Sequence, residues 1–280
     1  VTSGVVPVSC LSFTALKERL KIQALNKTYL WWTFLCVTAV LNIGIWTWAI
    51  VTQSDMQHFS YAQPILSGIY VFVCAFRSFL PRIDVERYCL FDHPLSSVML
   101  GRSLATVAEV SFSAQCALLI YNLGQSLTSP TIQFIAYTIV PIIVLAQVSC
   151  WYATLTLNHL WHSIEEAAWV AMLALSAACF TIGFFMLSGV LKVLMAIGII
   201  SCLGSAYIML FIDIPMYLSR KDDSHKQARQ FLSVSAGIKD ALSRRVKTSD
   251  WSVWKKEVLW LSTYFTFGVW LSIGMVFVRF

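Results

Sequence analysis

The sequence predicts an all-α fold, a polytopic integral membrane protein built as a bundle of seven transmembrane helices, and three observations predict it. Only 12% of the 280 residues are charged and 58% are hydrophobic, whereas soluble domains carry about 25% charge. Seven apolar segments are each long enough to cross about 30 Å of hydrocarbon at about 1.5 Å per residue. The basic residues are gathered on one side of those segments. A mean hydropathy of +0.71, with eleven Trp and eighteen Phe, fits the same class, because amphipathic aromatic rings anchor helices at the membrane interface.

Residues 1–28 form an N-terminal segment. Val1 to Phe13 is apolar but short and has no basic leader, so no signal peptide is expected. Over 13–27, Phe13, Leu16, Leu20 and Ala24 fall on one side of a helix, with Lys17, Arg19, Lys21 and Lys27 around the other. That is the pattern of an interfacial amphipathic helix, and a solvated basic lead-in would show it too. Residues 29–280 make the bundle, with spans at 29–51, 63–80, 97–122, 131–157, 163–187, 190–217 and 258–278. Ser129 before Pro130 is an N-cap followed by proline at the first helical position, which fixes the start of the fourth span. Pro141 and Pro215 predict kinks in the fourth and sixth.

If the N-terminus is assigned to one side, segments 1–28, 81–96, 158–162 and 218–257 share it and carry sixteen of the twenty Lys and Arg. The positive-inside rule then puts the N-terminus inside, facing cytosol, matrix or stroma, and the C-terminus outside. A multi-pass protein of a cytoplasmic or organellar inner membrane is the expected setting. In the inner-side loop 219–256, Phe231, Val234, Ile238 and Leu242 recur at helical spacing among Arg229, Lys239, Arg244, Arg245 and Lys247. This reads as a basic amphipathic helix on anionic inner-leaflet lipid rather than a nucleic-acid surface. The eight cysteines, mostly in apolar segments and without a CxxC pair, read as reduced packing thiols.

Polar residues form stripes on three spans. Gln63, Ser67, Tyr70, Cys74 and Arg77 mark the second, Arg102, Thr106, Glu109 and Ser113 the third, and Gln147, Trp151, Thr154 and Asn158 the fourth. Alternating spacings of three and four turn each stripe toward a common interior. For the neutral residues, interhelical hydrogen bonding accounts for the pattern. Arg102 and Glu109 are different, because a charge at the centre of a lipid-facing helix costs roughly 2.5–3.5 kcal/mol and so belongs inside the protein. Lying about 10 Å apart along the axis, they are expected to line one pocket rather than form a single salt bridge.

A second concentration runs from Asn158 through His159, His162 and Ser163 to Glu165 and Glu166. His162 and Glu166 are helical neighbours four residues apart, so His159, His162 and Glu166 could hold a transition metal or supply an acid and a base. Ser163 and Glu166 also match a capping box, with Glu165 suited to the positive end of the fifth helix. Asp213 is an intramembrane carboxylate for which Arg77 or Arg102 is the expected partner. The candidate catalytic set is Glu109, Arg102, His162 and Glu166, and the candidate pocket set is Arg77, Thr106, Asn158, Asp213 and Tyr70.

Nucleotide-binding and hydrolase motifs are absent. The seventh segment has no lysine to hold a retinal and no histidine to bind zinc, which excludes two known kinds of seven-helix protein. Three functional readings follow. The first is a pocket open to the inner side that binds, and acts on, a lipid-like or hydrophobic small molecule, with a bound lipid or a metal as cofactor. The second is a non-catalytic subunit of a larger membrane complex, whose Trp-rich faces meet lipid or other membrane subunits. The third is a proton-coupled transporter or channel, with Gln63, Ser67 and Tyr70 extending a wet path.

Overall fold

The structure of the chain, a computed structural model, describes residues 8–52, 61–226 and 231–280, and the side chains of 27–52, 61–222 and 231–280. Helix α1 (Val8–Thr52) is continuous, so the backbone of 8–26 runs without a break into the first span; the side-chain pattern expected there lies outside the described residues. Then come α2 (Ala62–Phe79), a hairpin of β1 (Arg82–Ile83) and β2 (Tyr88–Cys89), a 3-10 turn (Pro94–Ser96), α3 (Val98–Ser126), α4 (Pro130–Thr156) and α5 (Leu160–Met186). The sixth span is α6 (Gly189–Ile208), a π-helical turn (Met209–Asp213) and α7 (Ile214–Lys226). After α8 (Val234–Ser243), β3 (Val246–Lys247) and α9 (Trp251–Trp254), the last span consists of α10 (Val258–Thr263), a second π turn (Tyr264–Gly268) and α11 (Val269–Met275).

Seven helices among the described residues are long and apolar enough to cross a membrane, at 27–52, 62–79, 98–126, 130–156, 160–186, 189–222 and 258–275. The chain is therefore an all-α, multi-pass membrane protein by length and composition. Caps and breakers act as the sequence suggested in some places and differently in others. Ser129 Oγ accepts from the Ile132 amide ahead of Pro130. The third helix is capped by Ser97, which accepts from the Leu100 amide. Pro141 lies within a continuous α4, whereas Pro215 is the second residue of α7, just after the π turn of the sixth span.

The first six spans pack consecutively side by side, and α11 closes back onto α1, α2 and α3. Helix α3 touches α2, α4, α5, α8 and α11, so it is the centre of the bundle. The sixth span is peripheral, with 11% of its most apolar stretch buried against 56% for the second. Its Val190, Ile200, Tyr207 and Phe211 point outward with the other exposed apolar side chains that a membrane would cover. The apolar core has two main parts. One, around Ile120, Leu123, Ile139, Ile143, Met172 and Phe180, joins α3, α4, α5 and α6. The other, around Trp31, Leu35, Tyr70, Val71, Trp254 and Phe265, joins α1, α2 and the last span.

The segments grouped on one side by their basic residues do meet at one end of the bundle. Strands β1 and β2 pair antiparallel, and β2 pairs parallel with β3 from the long loop. Thr28 Oγ1 donates to the Ser249 carbonyl, and the Leu232 amide donates to Thr156 at the end of α4. Arg87, in the β1–β2 turn, is the staple of this end. Its guanidinium donates to Asp240 Oδ2 (2.9 Å), the Asp84 carbonyl (2.6 Å) and the Thr154 carbonyl (2.8 Å), which ties the hairpin to α8 and α4. In α8 the small residues Gly237 and Ala241 face inward, and a Cβ on Gly237 would collide with the Leu155 carbonyl. Val234, Ile238 and Leu242 are exposed beside Lys239, Arg244 and Arg245, so the amphipathic pattern read from the sequence is present, with its large apolar side turned out.

Trp31 and Trp254 are buried, and Trp46 is half-buried against α2. Trp31 donates to Ser262 Oγ (3.0 Å), Trp46 to the Pro64 carbonyl (3.2 Å) and the fully buried Trp254 to the Thr248 carbonyl (2.9 Å). An indole N–H inside an apolar bundle needs an acceptor, and here the protein supplies it. Trp48 and Trp260 are exposed as expected.

Candidate functional site

The stripes of α3 and α4 face each other and interlock. Arg102 Nη2 donates to Glu109 Oε2 at 2.8 Å and to Gln147 Oε1 at 2.7 Å, and Gln147 Nε2 donates to the same Glu109 oxygen at 2.6 Å. Thr106 Oγ1 donates to Gln147 Oε1 (3.0 Å) and accepts from the Trp151 indole (3.0 Å). The expectation that Arg102 and Glu109 would stand apart is corrected by these bonds. The length of the arginine side chain bridges two turns, and in low dielectric an uncompensated pair would be far costlier than the stretch. Arg102 Nε remains buried without a hydrogen-bond partner.

Beside this centre, α5 brings its first two turns against α4. Here the sequence reading needs three corrections. His162 Nδ1 pairs with Glu165 Oε2 at 2.9 Å, three residues on, and not with Glu166. Ser163 caps nothing, because α5 begins earlier, at Leu160, where Asn158 Oδ1 accepts from the Leu160 amide (3.2 Å); the Ser163 hydroxyl is buried without a partner. The metal-type donor set that converges is Cys150, His162 and Glu165, whose ligand atoms lie within 4.8 Å of one another, and not His159, His162 and Glu166. His159 stacks near His162, with ring centroids 6.3 Å apart, and Tyr217 of α7 lies over the His162 ring at 4.8 Å.

The other candidates are distributed around this pair of clusters. Glu166 is buried, and its Oε2 has no hydrogen-bond partner among the described residues. Asp213 ends the π turn, and its Oδ2 is likewise buried without a partner, so the expected pairing with Arg77 or Arg102 is not formed. Arg77 instead sits over the Phe265 ring at 5.7 Å. Tyr70 packs against Phe112 and Tyr264 on the α2 side. Asn158 Oδ1 accepts from the Leu160 amide in the turn that leads into α5. Cys150 was missed as a site residue, yet it lies three residues after Gln147 and four before Thr154, on the α4 stripe itself.

At the rim, outside the spans, Arg82 donates to the Ser97 carbonyl and pairs with Asp84 at 2.9 Å. Burial pushes the Arg82 guanidinium down to about 10. Burial works to raise the Asp84 carboxyl, but Arg82, with Arg77, Arg102 and Arg87, outweighs it and holds the group below its ordinary value. Glu257 is raised, first by burial and then by the nearby Glu86 carboxylate.

The opposite half of the bundle holds a neutral network. Gln63 and Gln115 exchange side-chain amide bonds with each other's carbonyls, and Gln115 and Ser67 also meet Ser272. This knits α2, α3 and α11 through interhelical hydrogen bonds, the role expected of neutral polar residues.

These features define a multi-pass helical membrane protein with its ionisable groups buried toward one end. Set against models of protein families, curated proteins and solved structures, the chain shows no significant match.

Proposed function

We propose that this chain binds, and acts on, a lipid-like or otherwise hydrophobic small molecule beside the Arg102–Glu109–Gln147 centre. Glu109 serves as the acid or base and Arg102 as the anchor for an anionic group. The single observation that carries this reading is that the buried ionisable side chains are concentrated at the basic end. There Arg102 Nε, Glu166 Oε2 and Asp213 Oδ2 have no hydrogen-bond partner among the described residues. A structural ion pair needs no such surplus, since unpaired buried polar groups cost free energy and persist where function uses them. The positive-inside rule assigns that end to the cytosol, matrix or stroma. The exposed Val234, Ile238 and Leu242 of α8, with their basic neighbours, suit an anionic leaflet on the same side.

The test is native mass spectrometry of the chain extracted in lipid discs, comparing wild type with Glu109→Gln of equal elution profile. A defined small-molecule adduct, lost or weakened at least tenfold in the variant, is the expected result. A wild-type chain at its bare mass, or an adduct indifferent to Glu109→Gln, overturns the reading. Stoichiometric protein partners without an adduct overturn it in favour of an accessory subunit.

A further inference from the structure

We infer that Cys150, His162 and Glu165 form a three-ligand binding site for a divalent transition metal, Zn(II) or a close relative, within the basic end of the bundle. The three side chains come from two helices and are all buried, and their donor atoms lie within 4.8 Å of one another. A thiolate, an imidazole and a carboxylate at that separation are the ligand types zinc takes, and small side-chain adjustments bring them to about 2.0–2.3 Å from a shared ion. Three protein ligands leave a fourth position open, the arrangement of catalytic rather than structural zinc.

Arg102, the guanidinium of the neighbouring centre, is held by Glu109 and Gln147. Among the described residues, Glu166 Oε2 and Asp213 Oδ2 are buried carboxylate oxygens without a hydrogen-bond partner.

Binding balances in charge and protons. The ion takes Glu165 as carboxylate, His162 as neutral imidazole and Cys150 as thiolate, and the thiol proton leaves to solvent. Two anionic ligands then neutralise the two positive charges, leaving no net charge on the metal complex in the low-dielectric interior. Tyr217, over the His162 ring at 4.8 Å, holds the imidazole plane from the side of the sixth span. This site does not depend on the lipid-binding reading, since its ligands are not the Arg102–Glu109–Gln147 centre.

The test uses the full chain in detergent, stripped with a chelator and titrated with Co(II). The expected result is one ion per chain with a sulfur-to-cobalt charge-transfer band, lost in Cys150→Ser and weakened at least tenfold in affinity by His162→Ala. Cys74→Ser, whose thiol lies on α2, should keep the band. No charge-transfer band in the wild type, or a band that survives Cys150→Ser, overturns the site. Should Cys150→Ser fail to fold, zinc absorption spectroscopy on the wild type decides: one sulfur at about 2.3 Å supports the site, and a shell of nitrogen and oxygen alone overturns it. Metal uptake without a lipid adduct would retain this inference and refute the preceding one, and an adduct without metal uptake the reverse.

Discussion

Replacing Arg102 with Met tests the centre of the bundle most directly. The substitution keeps an unbranched apolar stem and removes the guanidinium with two charge-assisted hydrogen bonds, to Glu109 (2.8 Å) and to Gln147 (2.7 Å). Such bonds contribute about 1.5–3 kcal/mol each, and breaking a buried ion pair by removing one partner costs about 3–5 kcal/mol. Both estimates put Arg102→Met at roughly 3–5 kcal/mol of lost stability. Glu109→Gln should also destabilise, because the buried Arg102 guanidinium would then face a neutral amide in place of a carboxylate. In the double variant Arg102→Met with Glu109→Leu neither charge remains, and the loss should be smaller than for Arg102→Met alone. The assay is unfolding in mixed micelles of rising denaturing-detergent fraction, followed by tryptophan fluorescence, with Glu109→Leu alone as the second single variant so that the double-mutant cycle closes. Additive single losses, each under about 1 kcal/mol, would show that the two groups do not interact and would refute the buried network.

Three further outcomes follow from the basic end. Asp84 is held below its ordinary value in the folded chain, so its contribution is present above the carboxylate range and disappears as pH falls through it. Melting temperature should therefore drop below about pH 4, and Asp84→Asn should flatten that acid limb in melts run across the range. Arg87→Met removes three donors that tie the hairpin to α4 and α8, and should cost about 3–5 kcal/mol and expose the segment 231–250 to limited proteolysis. Gly237→Val places a side chain against the Leu155 carbonyl; it should open the same segment to protease while leaving the melting of the spans close to wild type.

What the sequence made legible and what it did not divide along physical lines. The spans could be read because apolar length is a one-dimensional property, and the stripe of α3 because Arg102, Thr106 and Glu109 recur with the helical period that faces Gln147 and Trp151 of α4. The pairing of His162 could not be settled, since positions three and four residues on are both within reach on a helix and only tertiary surroundings choose between Glu165 and Glu166. The capping box failed because α5 begins at Leu160, so Ser163 lies inside its first turn and not at its start, a boundary set by where α4 ends. That end is itself unusual: Leu157 takes a left-handed conformation (φ 59°) that turns the chain sharply into α5. Cys150 escaped notice because a cysteine in an apolar run is ordinarily packing. Its spacing from Gln147 and Thr154 was the available signal.

The distribution of polar groups bears on how a ligand could approach. In the neutral half, Gln63, Gln115, Ser67 and Ser272 are at most 4% exposed and satisfy one another. Opening that network would leave several buried amides and hydroxyls without partners, at about 1–3 kcal/mol for each group. A continuous wet path through both halves would have to meet that cost, whereas a route from the basic end would not. At that end Glu166 and Asp213 already have unpartnered oxygens, and the peripheral sixth span, with its π turn at Met209–Asp213, forms the wall beside them. A π turn within a helix leaves its backbone bonds irregular, which makes this wall the natural place for movement. This favours one-sided access to the acid-rich cluster over alternating access. On the proposed lipid-binding reading, cross-linking α5 to α7 through engineered cysteines at exposed positions should therefore block exchange of the proposed ligand, whereas cross-linking α2 to α11 should leave it intact.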